Sequence, residues 1–345
     1  MKKSVLLFGG SSEERLVSVA SAQNLAIQYP FSEICFLDSN GFLSAINKEE
    51  LLSHKDPFQV EFTTRGKPLA NSLSEAIDFF KDKTIFLAFH GTQGEDGTIQ
   101  SLFESANISF TGSDSTSSRL AFEKDKAKKA LATLDIAVSP EMVLNPENSK
   151  DVSSTIQDFY KKYGKMVVKP IANGSSIGLH IITDENSLNK ATQAMASEKL
   201  GSYLLEKFVE GRELTIGVLQ SQSGLKALPP SEVVLNAGHS FDYQGKYLGR
   251  GTTEITPANL SAAEKRMAQE IAVLAHKSLG CFGYSRTDII LTSTGPVFLE
   301  TNTLPGLSKA SFIPQQLKAA NIEFSQFIKD QLELGERRKS LLKIE

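Results

Sequence analysis

Residues 4–14, SVLLFGGSSEE, join a short apolar run to two glycines and a polar cluster. Such a sequence is typical of a buried β-strand that ends at a turn. Short apolar runs and helical patterns continue to alternate from it, at residues 18–26, 34–37, 85–89 and 108–110. This alternation predicts a parallel α/β sheet over the first third of the chain.

Two polar clusters follow predicted strands of this sheet, at residues 9–14 and 90–97. Ligands of open α/β sheets bind beyond the carboxyl ends of the strands, so both clusters are candidate sites. Their most informative members are Glu14 and His90. Considered alone, Glu14 is better explained as an acid in the first turn of a helix, where the dipole favours it. His90 is equally well explained as a hydrogen-bonded structural histidine.

The rest of the chain has a different pattern, in which strands meet strands through glycine-bearing turns. A lysine-rich helical segment at 120–134 leads into it, and a polar loop is predicted at 237–257. An amphipathic helix at 261–279, a hairpin and a helix after Pro314 complete the last third. We predict an α/β domain over residues 1–121, a small α+β unit over 122–211 and a third unit over 212–345.

Composition excludes several classes of protein. The chain has 345 residues with a net charge of −3, so no strongly positive field would attract nucleic acid. The apolar run after Met1 is too short for a signal peptide, and no stretch approaches a membrane span. Cys35 and Cys281 form neither a disulfide framework nor a metal-ligand spacing. These features predict a cytoplasmic protein that binds neither nucleic acid nor membrane.

The hairpin at residues 285–302 carries an unusual polar face. If residues 292–296 form its loop, Leu291 faces Val297, Asp288 faces Glu300 and Arg286 faces Asn302. The strand period of two then puts four polar side chains on one face of the hairpin: Arg286, Asp288, Glu300 and Asn302. Ile289 and Leu299 lie on its other face. Facing carboxylates repel, and this donor set suits Mg2+ when nucleotide phosphates complete its coordination. A solvated face neutralised by Arg286 alone is the alternative.

Phosphate-binding features lie in the middle unit. Residues 174–178, GSSIG, offer backbone N–H groups and hydroxyls in a flexible loop that is not a Walker A motif. Lys169 ends an apolar run and needs an anionic partner, which a phosphate would supply. Lys124 would add a second charge, although Lys124, Lys126, Lys128 and Lys129 together also resemble a solvated helix face.

Residues 206–213 join two apolar runs through a polar hinge. Backbone groups of Lys207 and Val209, the Glu206 carboxylate and Glu213 are candidates for holding an adenine base and its ribose. An interdomain linker is the alternative for this segment considered by itself.

In this order, these elements resemble the ATP-grasp superfamily and, within it, the D-alanine–D-alanine ligase family. The resemblance covers nearly the whole chain. Its motifs include residues 9–15, 90–97, 169–178, 206–207, 241–247, 286–288 and 300–306. Departures such as Thr287 between Arg286 and Asp288, and Leu304 before Pro305, remove no charged group. The expected fold is a Rossmann-like N-terminal domain followed by a two-part ATP-grasp fold.

The resemblance implies that ATP converts one D-alanine to D-alanyl phosphate, which a second D-alanine attacks, for peptidoglycan precursors. The implied catalytic residues are Glu14, Ser175, Tyr247, Arg286 and Gly306. The implied substrate-binding residues are Glu14, His90, Lys246, Arg286 and Ser311. The implied ATP-binding residues are Lys124, Lys169, Ser175, Ser176, Glu206, Lys207, Phe208, Val209 and Glu213. Asp288, Glu300 and Asn302 would hold Mg2+ or Mn2+, with two ions expected.

The resemblance also implies a homodimer, a lid formed by residues 122–211 and catalysis in residues 212–345. A D-alanyl-D-lactate ligase is disfavoured by Tyr247, whereas a D-alanyl-D-serine ligase stays open because one hydroxyl changes a pocket's preference only modestly. A non-catalytic ATP-grasp module is a further alternative, which the intact set of charged residues disfavours.

Overall fold

Three β-sheets organise the computed structural model, which describes residues 2–147, 152–172, 178–198, 200–221, 224–235 and 252–341. The strands of the first sheet are β1 (Lys3–Gly9), β2 (Glu33–Leu37), β3 (Leu43–Ile46), β4 (Lys83–Ala88) and β5 (Ser109–Phe110). They lie in the order β3-β2-β1-β4-β5, and every pair is parallel except β2 and β3. The predicted parallel sheet is therefore confirmed, with an additional antiparallel edge strand.

Four α-helices and one 3-10 helix belong to this part of the chain. They are α1 (Arg15–Gln28), α2 (Lys48–Ser53), the 3-10 helix Ile77–Phe80, α3 (Thr98–Ser105) and α4 (Ser115–Phe122). Strands β1 and β4 are almost wholly buried, as expected for the centre of a sheet covered on both faces.

The second sheet is small and antiparallel. Its strands are β6 (Glu141–Leu144), β7 (Met166–Pro170), β8 (His180–Ile182) and β9 (Tyr203–Lys207), in the order β6-β9-β7-β8. Helices α6 (Val152–Tyr163) and α7 (Glu185–Glu198) pack against it, whereas α5 (Lys124–Ala132), which precedes it in the chain, contributes Ala127 and Leu131 to the core of the third sheet. The single helix predicted over 120–134 is wrong, because α4 and α5 are separate. Glu123 between them has extended backbone angles, and the Lys124 N–H reaches the Ile171 carbonyl at 3.4 Å.

The third sheet forms the floor of the site. Its strands are β10 (Arg212–Ser221), β11 (Gly224–Ala227), β12 (Ser231–Leu235), β13 (Thr252–Ile255), β14 (Tyr284–Thr292) and β15 (Gly295–Asn302). The main order is β13-β12-β10-β14-β15, and β11 pairs with β10. Helix α8 (Ala262–Ser278) lies between β13 and β14, and helices α9 (Phe312–Ala319) and α10 (Phe324–Leu341) follow β15. Residues 252–255, predicted as loop, pair with β12 instead, and Pro314 lies within the first turn of α9.

The pairing of β14 with β15 confirms the predicted register at the polar end of the hairpin and corrects it near the turn. Arg286 pairs with Asn302 and Asp288 with Glu300, as expected. Leu291 pairs with Pro296 rather than Val297, because β14 extends to Thr292 and leaves only Ser293 and Thr294 between the strands. A bulge beside Asp288 absorbs the one-residue difference. It places Phe298, not Leu299, opposite Ile289 in the core.

Helix α8 packs on this sheet and supplies a buried histidine. The helix begins with a capping box between Ser261 and Glu264. Near its end, His276 Nδ1 lies 2.8 Å from the Ser285 hydroxyl, and burial lowers the pKa of His276 to about 4. At pH values between about 4 and 6.5, His276 therefore binds a proton in the unfolded chain but not in the folded chain. The contribution of the neutral, buried His276 to the free energy of unfolding is complete above about pH 6.5 and is lost as the pH falls toward 4.

The variant His276→Asn, in which the amide replaces Nδ1, tests this coupling. Between pH 7 and pH 5 the unmodified protein is expected to lose about 2 kcal/mol more unfolding free energy than the variant. Urea denaturation at both pH values measures the difference. Equal losses in the two proteins would show that burial of His276 does not set this pH dependence.

Candidate active site

One pocket lies where the loops of the first sheet meet the polar face of the third. Among the described residues, it is lined by nine of the predicted site residues. These are Glu14, His90, Glu213, Arg286, Asp288, Glu300, Asn302, Gly306 and Ser311. They come from segments nearly 300 positions apart, and the two sheets bring them together.

The floor of the pocket is the polar face of the β14–β15 hairpin. Arg286 donates from Nε and Nη2 to the two oxygens of Asp288, at 3.0 and 2.7 Å. Thr215 on β10 donates its hydroxyl to the same carboxylate at 2.5 Å, and the Asn302 amide lies 3.5 Å from it. This two-pronged pairing holds the guanidinium plane against the pocket floor.

A second cation, Lys124, pairs with Glu300, the other of the two facing carboxylates. Lys124 Nζ lies 3.4 Å from Glu300, and Lys124 lines a smaller adjoining cavity with Glu300 and Asn302. The hairpin face is therefore not a solvated surface neutralised by Arg286 alone. The charge that the facing acids require comes from Arg286 and, across the interface with α5, from Lys124.

The lysines of α5 divide between two environments. Lys126 and Lys129 are exposed, whereas Lys124 and Lys128 are buried. The reading of all four as one solvated face is wrong, because residues four apart share a helix face and this face packs inward. Lys128 contacts Glu206 and lies 3.7 Å from Glu141, and burial lowers its pKa to about 8. Sequence reasoning missed Lys128, although its spacing from Lys124 was the available signal.

Lys169 also has a protein partner. Its Nζ lies 2.5 Å from Glu206, and burial lowers its pKa well below the usual value. A phosphate is therefore not needed to explain how this lysine is buried, contrary to the sequence argument. Lys169 and Lys128 flank one carboxylate, so Glu206 is the centre of a buried charge cluster.

The predicted adenine hinge continues from Glu206 through Lys207, the last residue of β9, to Phe208 and Val209 in the connection that follows. The Lys207 N–H donates to the Pro140 carbonyl at 2.9 Å, and its carbonyl accepts from the Ser139 hydroxyl at 2.6 Å. The Phe208 ring lies under the ammonium group of Lys165, at 3.6 Å. Lys207, Phe208 and Val209 do not line the pocket described above. Their predicted contact with adenine stays a prediction.

Glu14 sits at the start of α1 with its carboxylate near the loop after β4. Gly91 in this loop has φ of +69°, and a β-carbon there would lie 2.8 Å from a Glu14 carboxylate oxygen. Only glycine allows this approach without displacing the acid. The glycine of the His90-Gly91 motif therefore makes room for Glu14 at the pocket wall.

Two further acids line the pocket beyond the predicted set. Glu95 is buried, accepts from the N–H groups of Gly91 and Leu304, and has its pKa raised to about 8 by burial and by Glu14. Glu254 on β13 accepts from Gln315 at 2.7 Å, and burial raises its pKa. Glu95 was part of a recognised motif but received no role. Glu254 gave no signal, because β13 was predicted as loop.

Four predicted residues lie outside the described residues. They are Ser175, Ser176, Lys246 and Tyr247. Their roles in phosphate binding, carboxylate binding and closure of the site stay predictions.

The donor set fits a hard divalent cation. Asp288, Glu300 and Asn302 lie at facing or adjacent register positions and line the same pocket. Within the described residues no three His, Cys, Asp or Glu side chains form a metal-binding group. Two carboxylates and an amide do not make a complete cage, which is the arrangement expected when Mg2+ takes further ligands from a nucleotide.

Two family models match this chain. The family model described as "D-ala D-ala ligase C-terminus" matches residues 130–333, and that of the N-terminus matches residues 3–113. The chain belongs to the D-alanine–D-alanine ligase family. The ligase of this name from Leptospira interrogans is 33% identical, over 98% of this chain and 99% of its own length. That from Nitrosomonas europaea is 34% identical, over 96% and 97%.

Solved structures of two ligases share this fold. A D-Ala:D-Ser ligase from Enterococcus faecalis has a TM-score of 0.80 and 28% identity, over 97% of this chain and 99% of its own. A D-alanine–D-alanine ligase from Coxiella burnetii has a TM-score of 0.78 and 25% identity, over 99% and 96%. The expected α/β N-terminal domain followed by an ATP-grasp fold is confirmed. No helix within the described ranges is both long and apolar enough to cross a membrane.

Proposed function

We propose that this enzyme of the D-alanine–D-alanine ligase family joins two D-alanine molecules at the expense of ATP, for peptidoglycan precursor synthesis. The observation that carries the proposal is the meeting of Glu14, Arg286 and the Asp288–Glu300 pair in one pocket. An amino acid needs an anion for its ammonium group, and an acyl transfer needs a cation beside its oxyanion. A transferred phosphoryl group needs both a metal and lysines.

In the first step, a carboxylate oxygen of D-alanine attacks the γ-phosphorus of ATP, and ADP leaves. Glu14 would bind the ammonium group of this D-alanine and orient its carboxylate toward the nucleotide. Lys124 and Lys169 would hold the phosphates after moving from Glu300 and Glu206, their partners in the present structure. Exchange of a carboxylate for a phosphate keeps each lysine paired throughout.

In the second step, the amine of the second D-alanine attacks the acyl carbon, and inorganic phosphate leaves as the peptide bond forms. Arg286 and the Gly306 N–H would stabilise the tetrahedral oxyanion. Ser311, which lies beside Gly306, would receive the second carboxylate together with Lys246. A β-carbon at Gly306 would approach the Ser311 hydroxyl to 2.7 Å, so the two functions occupy adjacent positions.

Asp288, Glu300 and Asn302 would hold Mg2+ or Mn2+, with two ions expected. When bound, the metal supplies positive charge that neutralises the phosphate oxygens. Glu206 with residues 207–209 would bind the adenine, and Glu213 the ribose. Assembly as a homodimer, location in the cytoplasm and the division at residues 121 and 211 belong to the same proposal.

Phosphate release from ATP and Mg2+ tests the proposal. D-alanine, L-alanine, D-serine and D-lactate are added alone and in pairs, and the products are identified by mass spectrometry. Release that requires D-alanine and yields D-alanyl-D-alanine is the expected result. ATP that binds without turnover under every condition would instead identify a non-catalytic nucleotide-binding module.

D-serine is the second acceptor to compare. The likeness to the E. faecalis D-Ala:D-Ser ligase, with a TM-score of 0.80, is the observation that favours including it. A higher kcat/KM for D-serine than for D-alanine as the second substrate would replace the proposed product with D-alanyl-D-serine.

A further inference from the structure

The loop that follows β15 is held by the N-terminal domain at both of its ends. Residues 304–307 of this loop include Gly306. The Leu304 N–H donates to Glu95 at 3.2 Å, and its carbonyl lies 2.8 Å from His90 Nδ1. The Leu307 N–H donates to the Ser21 hydroxyl at 3.1 Å, and its carbonyl accepts from the Asn24 amide at 2.7 Å. Both backbone groups of Leu304 and of Leu307 are therefore fixed by side chains of the N-terminal domain, two from α1 and two from the loop after β4.

Two of these side chains belong to a polar stripe on α1. Ser18, Ser21 and Asn24 recur every three residues, so they share one face of a helix that is otherwise largely apolar where it is buried. Each is at most 5% exposed. Buried polar groups are costly unless they are hydrogen bonded, and here the bonds of Ser21 and Asn24 cross to the loop.

His90 completes a chain of hydrogen bonds with a fixed direction. The Leu304 carbonyl only accepts, so His90 Nδ1 carries the proton and Nε2 is an acceptor. The Ser21 hydroxyl, 2.8 Å from Nε2, then donates to the ring and uses its lone pair for the Leu307 N–H. Both ring nitrogens are occupied within the protein, and burial keeps the ring neutral by lowering its pKa to about 4.

We propose that Ser21 and Asn24, acting with His90 and Glu95, are positioning residues that place the Gly306 N–H for the tetrahedral oxyanion. This inference rests on the proposed function. Helix α1 begins beside Glu14 and contacts the loop two turns later, so one rigid element links the ammonium site to the oxyanion donor. A misplacement of about 1 Å in such a donor is enough to lower a rate substantially. His90 accordingly acts on the loop rather than on the substrate directly.

The variants Ser21→Ala and Ser18→Ala form a matched pair. Both hydroxyls are fully buried on the same helix, and both make two hydrogen bonds. Those of Ser18 go to Gly9 and Ala88 and stay within the N-terminal domain, at 2.7 and 2.6 Å. We expect Ser21→Ala to lower kcat about 10- to 100-fold with little change in KM for ATP. We expect Ser18→Ala to lose similar thermal stability but to keep kcat within about threefold.

A binding measurement provides a readout that does not depend on turnover. A phosphinate analogue of the dipeptide has a tetrahedral centre, so Ser21→Ala is expected to weaken its binding about 10-fold or more while ADP binds normally. If Ser21→Ala folds poorly, Asn24→Ala provides a second test. It removes the hydrogen bond to the Leu307 carbonyl and is expected to give the same pattern of binding. Equal kcat in the two serine variants, or equal loss of ADP and analogue, would overturn the positioning role.

The failure of this inference is separable from failure of the proposed function. An unmodified protein that makes no dipeptide would contradict the function itself. An unmodified protein that makes D-alanyl-D-alanine, together with a Ser21→Ala variant that behaves like Ser18→Ala, would contradict only the positioning role.

Discussion

Replacing Arg286 with alanine is expected to lower D-alanine-dependent phosphate release by about 10^3-fold and to leave MgATP affinity within about threefold. The guanidinium is the only cation that the described part of the chain places on the pocket floor within hydrogen-bonding distance of Asp288. Removal of an oxyanion donor acts on the transition state, whereas the nucleotide is expected to bind through other residues. Steady-state kinetics and calorimetric titration with a non-hydrolysable nucleotide measure the two quantities separately.

Arg286→Lys is the matched control for charge. It keeps the positive charge but loses the planar fork that spans both oxygens of Asp288, so a loss of about 10- to 100-fold in kcat is expected. Equal losses of nucleotide affinity and of turnover in Arg286→Ala would contradict the role of Arg286 in stabilising the oxyanion. It would mean that the arginine mainly organises the metal and nucleotide site.

The second large effect is expected for the facing acids of the hairpin. Asp288→Asn and Glu300→Gln keep the shape of each side chain but remove one negative charge. Each is expected to weaken Mg-nucleotide binding by about 10- to 100-fold, because hard cations depend on carboxylate charge. The loss should be smaller when nucleotide is titrated without Mg2+, which distinguishes a metal ligand from a residue that contacts the nucleotide itself.

Glu254→Gln is the control for these two variants. Glu254 lines the same pocket but lies on β13, away from the hairpin pair, and is hydrogen bonded to Gln315. Its replacement is expected to change Mg-nucleotide affinity by less than about threefold. Unchanged affinity in both Asp288→Asn and Glu300→Gln would remove the basis for the metal site.

The site could be predicted as far as local patterns extend. A period of two was sufficient to place Arg286, Asp288, Glu300 and Asn302 on one face, because side-chain direction in a strand depends only on parity. The position of the turn was mispredicted, since a two-residue connection and a bulge give the same register at the functional end as a longer loop.

Which charged side chains are buried could not be predicted from a local pattern in this way. Lys124 and Lys128 differ from Lys126 and Lys129 only in which side of α5 they occupy, and the identity of the buried side depends on what packs against it. The acid that pairs with Lys128 and Lys169, Glu206, is 78 and 37 positions away from them, respectively. Sequence reasoning assigned these lysines to solvent or phosphate, because it had no means of bringing Glu206 to them.

The sequence by itself determined the class of fold, the family and the chemical identity of the charged groups, since these depend on residue type, order and local period. Only the tertiary structure decided which groups meet. The first sheet brings Glu14 and His90 to the third, β10 brings Thr215 to Asp288, and α1 brings Ser21 and Asn24 to the loop with Gly306. These contacts join positions up to 286 residues apart, and their geometry is set by sheet packing rather than by any local preference.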